Sequence, residues 1–330
     1  MTQNDKPAAL SPLADPVIGA IFTDVESAGL AAQSLVGAIL KKDGLTVGTV
    51  LSVTPQRYYK TPGERGCRVD ILILTDRNEH TLVEIQMSRD ASMLARNLFS
   101  ASLVYKQEVP EGTPPELLAK VMPRVICIDI LDFNIRSDSV EWFQPVKLLY
   151  SQPPYVTALP HFSVYCVQLP RFREAKRDFN DPAYCWMYAW DRAYREKLTM
   201  EEVIKLTPEL QGYVEQDRGF MQYCQKFGIV TANSETKDEY YRWINEQMRQ
   251  EGMRQAAEED GMARGMERGM ARGMEIGEAR GRAQGIETGE RNAKLATARN
   301  LLAINMNQEQ VAKVTGLLLE EVLGLTGTVK

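Results

Sequence analysis

The chain has 330 residues, 44% of them apolar, 25% charged and 8% aromatic, with a formal net charge of -5. That composition supports one large core plus appendages and excludes disordered and fibrous classes. No apolar run approaches the roughly 18 residues of a membrane helix, and MTQNDKPAALSPLADP has neither the basic start nor the apolar stretch of a secretion signal, so a cytoplasmic protein with no membrane partner is expected.

Residues 1–11 read as a flexible N-terminus. From 15 to 42, apolar positions recur at three- and four-residue spacing, which predicts one or two amphipathic helices. The period then changes. TVGTVLSVTPQRYY, CRVDILILT and TLVEIQM are rich in branched residues and predict three strands, the last two joined by a TDRNEH hairpin. SRDASMLARNLFSASLVYKQ returns to helical spacing, and after a Pro/Gly-rich loop RVICIDILDF is a strand whose near-continuous apolarity buries both faces. Two short strands are expected around KLLY and HFSVYCVQL, and residues 180 to 250 are mostly helical.

The tail differs. Glycine falls at every fourth position from 261 to 289, and Met262, Met266, Met270 and Met274 each follow one. On a helix this is a slowly drifting stripe where a second helix could approach, while each glycine costs a lone helix roughly 1 kcal/mol against alanine. Two readings stay open for 251–291, a self-association helix acting through residues 252–290 and a low-complexity linker. Residues 292–330 predict a small helical bundle; its order resembles a helix-turn-helix, but LLLEEVLGL is acidic and apolar, which favours packing over base reading.

Five scattered cysteines without a CxxC pair predict buried thiols rather than a zinc site, and two histidines leave little material for imidazole chemistry. Carboxylates remain. Arg68-Val69-Asp70 is followed, fourteen residues after the Asp, by Glu84-Ile85-Gln86. Glu84 and Gln86 share a strand face while Val83 and Ile85 take the other, and a hairpin brings Asp70 toward Glu84. Mg²⁺ prefers oxygen ligands, keeps several waters and is commonly held by one or two carboxylates, so Asp70 and Glu84 outline a metal site, with Gln86 able to orient an attacking water. As spacing alone, a solvent-facing hairpin explains the pattern as well. The acidic total leaves local patches such as Arg171-Phe172-Arg173 with Lys176 and Arg177 to meet phosphate.

DPVIGAIF, RVDILI and VEIQM, in this order with Arg96-x5-Ser102-x2-Tyr105, RVICIDILDF, HFSVYCVQLPRF and the helix near Trp186, resemble the Rpn family of recombination-promoting nucleases, PD-(D/E)XK proteins also described as transposases. The resemblance covers roughly residues 12 to 250. It implies an α/β fold, a PD-(D/E)XK restriction-endonuclease-like core with a mixed central sheet flanked by helices, here with a helical C-terminal extension. It implies catalytic Asp70, Glu84 and Gln86, the glutamine standing where the superfamily usually has lysine, with Mg²⁺ or Mn²⁺ on Asp70 and Glu84. Asp15 matches an acidic position that completes the site or else caps the first helix. Ile18-Gly19 replaces the family's usual aromatic-lysine pair, which removes a phosphate contact from that helix. Arg68 and Arg96 are phosphate-contact candidates, Arg68 equally a partner of the acids, whereas for Arg96, as for Tyr105, helix packing and surface are the favoured reading. The implied function is a metal-dependent DNA endonuclease associated with recombination or mobile elements. The rivals are an idle DNA-binding or regulatory protein and an oligomeric scaffold built on the glycine stripe.

Overall fold

A computed structural model of the chain describes residues 9–23, 25–59, 66–136 and 138–326. Most of the expected flexible N-terminus, residues 1–8, lies outside the described residues. The chain divides into two compact units, Met1–Gln247 and Met248–Lys330.

In the first unit two helices, α1 (Asp15–Ile21) and α2 (Val25–Lys41), precede strands β1 (Val50–Tyr59), β2 (Cys67–Thr75) and β3 (Glu79–Gln86). Helix α3 (Met93–Glu108) and a short turn of helix, α4 (Leu118–Val121), lead to β4 (Arg124–Leu131), β5 (Phe143–Lys147) and β6 (Phe162–Gln168). Five helices follow, α5 (Leu169–Glu174), α6 (Pro182–Glu196), α7 (Met200–Lys205), α8 (Pro208–Gln216) and α9 (Arg218–Ala232), and α10 (Ser234–Ala303) begins in this unit and continues into the second. The strands form one mixed sheet in the order β1-β2-β3-β4-β6-β5, parallel where β4 meets β3 and β6, antiparallel elsewhere.

Alternation along the strands sorts side chains to two faces. Val83, Ile85, Ile126, Ile128 and Ile130 join α1, α2, α6 and α9 in the larger core, centred on fully buried Trp186 and Trp190. Leu82, Val125, Cys127 and Leu131 point the other way, against Met93, Ala101 and Val104 of α3. The β2–β3 hairpin turns at Asp76-Arg77-Asn78, where Asn78 takes a φ of 56°, a left-handed conformation that asparagine tolerates better than most residues. Glu79 anchors the turn by accepting from Gly48 N–H at 3.0 Å and the Thr75 hydroxyl at 3.2 Å. The resulting register pairs Ile71 with Val83, and this places Asp70 and Glu84 one step beyond the last paired residues.

His80 is buried on β3, and neither ring nitrogen has a hydrogen-bond partner. Burial pushes its pKa below the ordinary value of 6.5, so folding favours the neutral ring. That contribution is present above pH 6.5 and is lost as pH falls below it, because the unfolded chain then binds a proton the folded one resists. His80→Leu should flatten the fall of melting temperature between pH 6.5 and 5 relative to the unmodified chain; identical slopes would remove His80 as a cause.

The expected strand at KLLY is displaced. The strand is Phe143–Lys147, and Leu149 makes only an isolated bridge to Thr157. In the second unit every residue from 252 to 294 is exposed on α10, and the end of that helix packs with α11 (Gln308–Thr315) and α12 (Leu319–Thr326) around Ala298, Val311, Leu317 and Val322. Asn307 caps α11 by accepting from Glu309 N–H at 2.8 Å, and Gly316 ends it with a φ of 69°. Among the described residues no helix is long and apolar enough to cross a membrane.

Candidate metal centre

The paired ladder of β2 and β3 ends where the acids begin. One Asp70 carboxylate oxygen accepts from Ile85 N–H at 2.8 Å, taking the amide that a continued ladder would have used. Glu84 sits on the α3 side of β3, in phase with Leu82, and Asp70 lies on the corresponding side of β2. Asp15, the first residue of α1, approaches closely enough for its charge to act on both Asp70 and Glu84. Three of the sequence-nominated acids are thus neighbours.

Their electrostatics are those of a site short of positive charge. Asp70 is held above the ordinary carboxylate range by burial first and by the charge of Asp15 second. Glu84 is raised by burial and then by Asp70, with smaller contributions from Asp129 and Asp15. Burial also raises Asp15. Arg68 and Arg96 oppose these shifts on Asp70, and the Arg96 guanidinium is anchored to Asp90 at 2.8 Å. Glu84, Gln86, Arg68 and Arg96 line one cleft of about 500 Å³, with Asn97 and Ser100 of α3 on its wall. Gln86 Nε2 reaches the Ser88 hydroxyl at 3.5 Å.

A carboxyl whose pKa is raised by folding contributes stability below its unfolded value, near 4, and loses it as pH rises through the folded value. At pH 8, above the value of about 7 to which Asp70 is pushed, its buried carboxylate is mostly charged, while Glu84, pushed up to about 9, still largely holds its proton. Asp70→Asn keeps an oxygen for Ile85 N–H and removes the charge, so calorimetry at pH 8 should show a higher melting temperature by roughly 4–8 °C, about 2 kcal/mol, with the gain gone at pH 4. An unchanged or lower melting temperature at pH 8 would contradict this account.

One acid here escapes the sequence reading. Asp129 of β4 is fully buried and is the parallel-ladder partner of Glu84. Burial raises its pKa to about 7, and Asn97 donates to it at 2.6 Å. An isolated aspartate inside RVICIDIL, in phase with Val125, Cys127 and Leu131, was the available signal. The basic patch at 171–177 is largely engaged within the fold: Phe172 is core, Arg173 pairs with Asp132 and Asp191, and Arg171 pairs with Glu174. Tyr105 is a packing residue whose hydroxyl donates to His161 O at 2.8 Å. Among the described residues, no three His, Cys, Asp or Glu side chains gather into a ready-made metal cage.

A family model described as PD-(D/E)XK nuclease family transposase matches residues 19–253. The chain belongs to that family. The match takes in Asp70, Glu84, Gln86 and Asp129 and ends at the start of the exposed stretch of α10, so the nuclease-family transposase unit coincides with the sheet and its helices. Asp15 lies four residues before the matched span. No curated protein and no solved structure matches the chain. Divalent-metal chemistry on nucleic acid is the family's province, and the oxygen donors of Asp70 and Glu84, on adjacent strands beside two guanidinium groups, fit a hard divalent ion.

Proposed function

We propose that the protein is a Mg²⁺-dependent DNA endonuclease of the cytoplasm, with Mn²⁺ able to substitute, serving recombination or mobile-element activity. The observation that carries the reading is the fork between β2 and β3, where Asp70 takes the Ile85 amide beside Glu84, and Glu84 faces a cleft edged by Arg68 and Arg96. Asp70 and Glu84 would hold the ion, with Asp15 as a third carboxylate. When bound, the ion would supply a water of lowered pKa and neutralise charge on the scissile phosphate. Arg68 and Arg96 hold the phosphate in place, and Gln86 orients the attacking water without donating a charge as the superfamily's usual lysine would. The acids repel one another when no cation is bound, which favours ion uptake over an idle fold.

The reading extends to a homo-oligomer formed through part of 252–290. An α-helix advances about 40° between residues four apart beyond each full turn, so the eight glycines at 261–289 sweep about 280° and a straight partner can follow only two or three in succession. Contact would be local rather than a continuous seam.

The test is nicking of supercoiled plasmid by the purified chain in Mg²⁺, Mn²⁺, Ca²⁺ or EDTA. Cleavage in Mg²⁺ and Mn²⁺ that stops in EDTA is expected. DNA binding without cleavage in any of the metals would replace the enzyme with an idle binder.

A further inference from the structure

Strands β3, β4 and β6 run parallel, so all three end at the same edge of the sheet. Their last residues form one row, Gln86 beside Leu131 and Leu131 beside Gln168. Each strand is followed past that edge by an arginine: Arg89 three residues after β3, Arg136 five after β4 and Arg171 three after β6. These three line one open cleft of about 800 Å³, together with Asn134 and Asp138. Connections beyond the carboxyl ends of parallel strands are where α/β sheets collect their ligands.

A buried side chain holds this cleft in shape. Gln168 is fully buried; its Oε1 accepts from Ile135 N–H at 2.7 Å and its Nε2 donates to Glu141 O at 3.0 Å, which fixes at two points the loop that carries Asn134, Arg136 and Asp138. Asp132 N–H donates to Gln86 O at 3.0 Å and ties the start of that loop to β3. The guanidinium groups themselves are less committed. Arg89 is exposed and has no ion-pair partner among the described residues. Arg136 pairs with Asp138, their side chains 65% and 66% exposed, and Arg171 pairs with Glu174, itself 68% exposed. Pairs so open to water are weak, and a multiply charged oxyanion can take the place of either carboxylate.

We propose, resting on the reading of the chain as a DNA endonuclease, that Arg89, Arg136 and Arg171 form a phosphate site outside the metal cleft, and that its occupant is the DNA backbone a few nucleotides from the bond to be cut. Three guanidinium groups and one carboxylate line the site, a local excess of positive charge in a chain of net charge -5. The planar fork of each arginine meets phosphate oxygens two at a time. Gln86 lines the metal cleft and Arg89, three residues on, lines this one, so their backbones lie within about 11 Å of each other. A DNA strand rises about 3.4 Å per nucleotide, so one strand spans that distance in about three nucleotides. The site therefore grips the substrate without an ion and sets where the strand enters the metal cleft.

Fluorescence anisotropy of a short labelled duplex, titrated with the full chain in EDTA over a range of salt concentrations, reads this grip without metal or turnover. The double variant Arg89→Ala/Arg136→Ala should bind about tenfold more weakly, with a log–log salt slope shallower by about 2, because two phosphate contacts are gone. Asp138→Asn, which frees Arg136, should bind the duplex more tightly, a gain that a misfolded variant cannot imitate. Unchanged duplex affinity and slope in the double variant, or weaker binding in Asp138→Asn, overturns the site. If a deoxynucleoside monophosphate binds the parent but not the double variant while duplex binding is unchanged, the cleft serves a free phosphate and the backbone assignment falls. A parent with no affinity for duplex overturns the DNA reading and this site together. A parent that binds duplex but nicks no plasmid in Mg²⁺ loses only the nuclease reading, and the double variant still decides the site.

Discussion

Glu84→Gln is expected to lower metal-dependent cleavage by roughly 10³-fold or more, about 4 kcal/mol of transition-state stabilisation, while DNA affinity measured in Ca²⁺ is kept or improved. The substitution preserves size and removes one of the carboxylates proposed to hold the ion. It also removes a carboxylate from the cleft proposed to receive phosphate, and leaves Arg96 less opposed. Binding and chemistry should therefore move in opposite directions, which a general loss of structure cannot imitate. A calorimetric melt of the metal-free variant at pH 8 supplies the control, since relief of the repulsion among Asp70, Asp15 and Glu84 should leave it at least as stable as the parent. Cleavage within tenfold of the parent would place the chemistry elsewhere. Joint loss of cleavage, binding and melting temperature would mean that Glu84 is needed for the fold.

That Asp70 and Glu84 could be found in the sequence follows from how locally their meeting is encoded. Both strands carry period-two patterns, and the turn between them has an asparagine able to adopt positive φ, so register and facing are fixed within a few residues of the acids. Asp129 is not encoded that way. Its place beside Glu84 depends on a parallel pairing across α3, and no local pattern states that register. The near-continuous apolarity of its strand correctly indicated burial on both faces but drew attention away from the one acid inside it. Strand β5 was placed a few residues too late for a related reason: Pro145 interrupts it, and a proline is tolerated there because β5 is the edge of the sheet, a position that only the assembled topology defines. Arg173 looked like a phosphate contact because Asp132 and Asp191, its partners, are distant in sequence. The cleft wall from α3 was visible as a helix, yet Asn97 on it has no signature apart from the aspartate it holds.

Gly219→Ala should cost the first unit about 3 kcal/mol, lowering its melting temperature by roughly 6–12 °C. Gly219 is buried where α9 crosses α2, and a β-carbon there would lie 2.2 Å from Leu30 O and 2.6 Å from Ser34 Cβ. Backbone, not a movable side-chain tip, stands in the way. The crossing is also bolted on both sides of the glycine: Asp217 accepts from Phe220 N–H at 2.9 Å and from the Ser34 hydroxyl at 2.7 Å, and Ser34 in turn accepts from the Trp186 indole at 3.0 Å. Parting the helices enough to admit a methyl group would strain these bonds and loosen the packing around Trp186 and Phe220, which meet edge to face at 4.8 Å. Helix α1 packs on α9 as well, so the displacement would reach Asp15 at the head of α1 and through it the acids of the cleft. Gly212→Ala, in α8 with open space where the methyl would go, is the matched control; it should be neutral or stabilising by up to about 1 kcal/mol from helix propensity alone. Equal melting temperatures for the two variants would show that the α2–α9 crossing yields freely, and would remove close helix approach as the reason for glycine at 219.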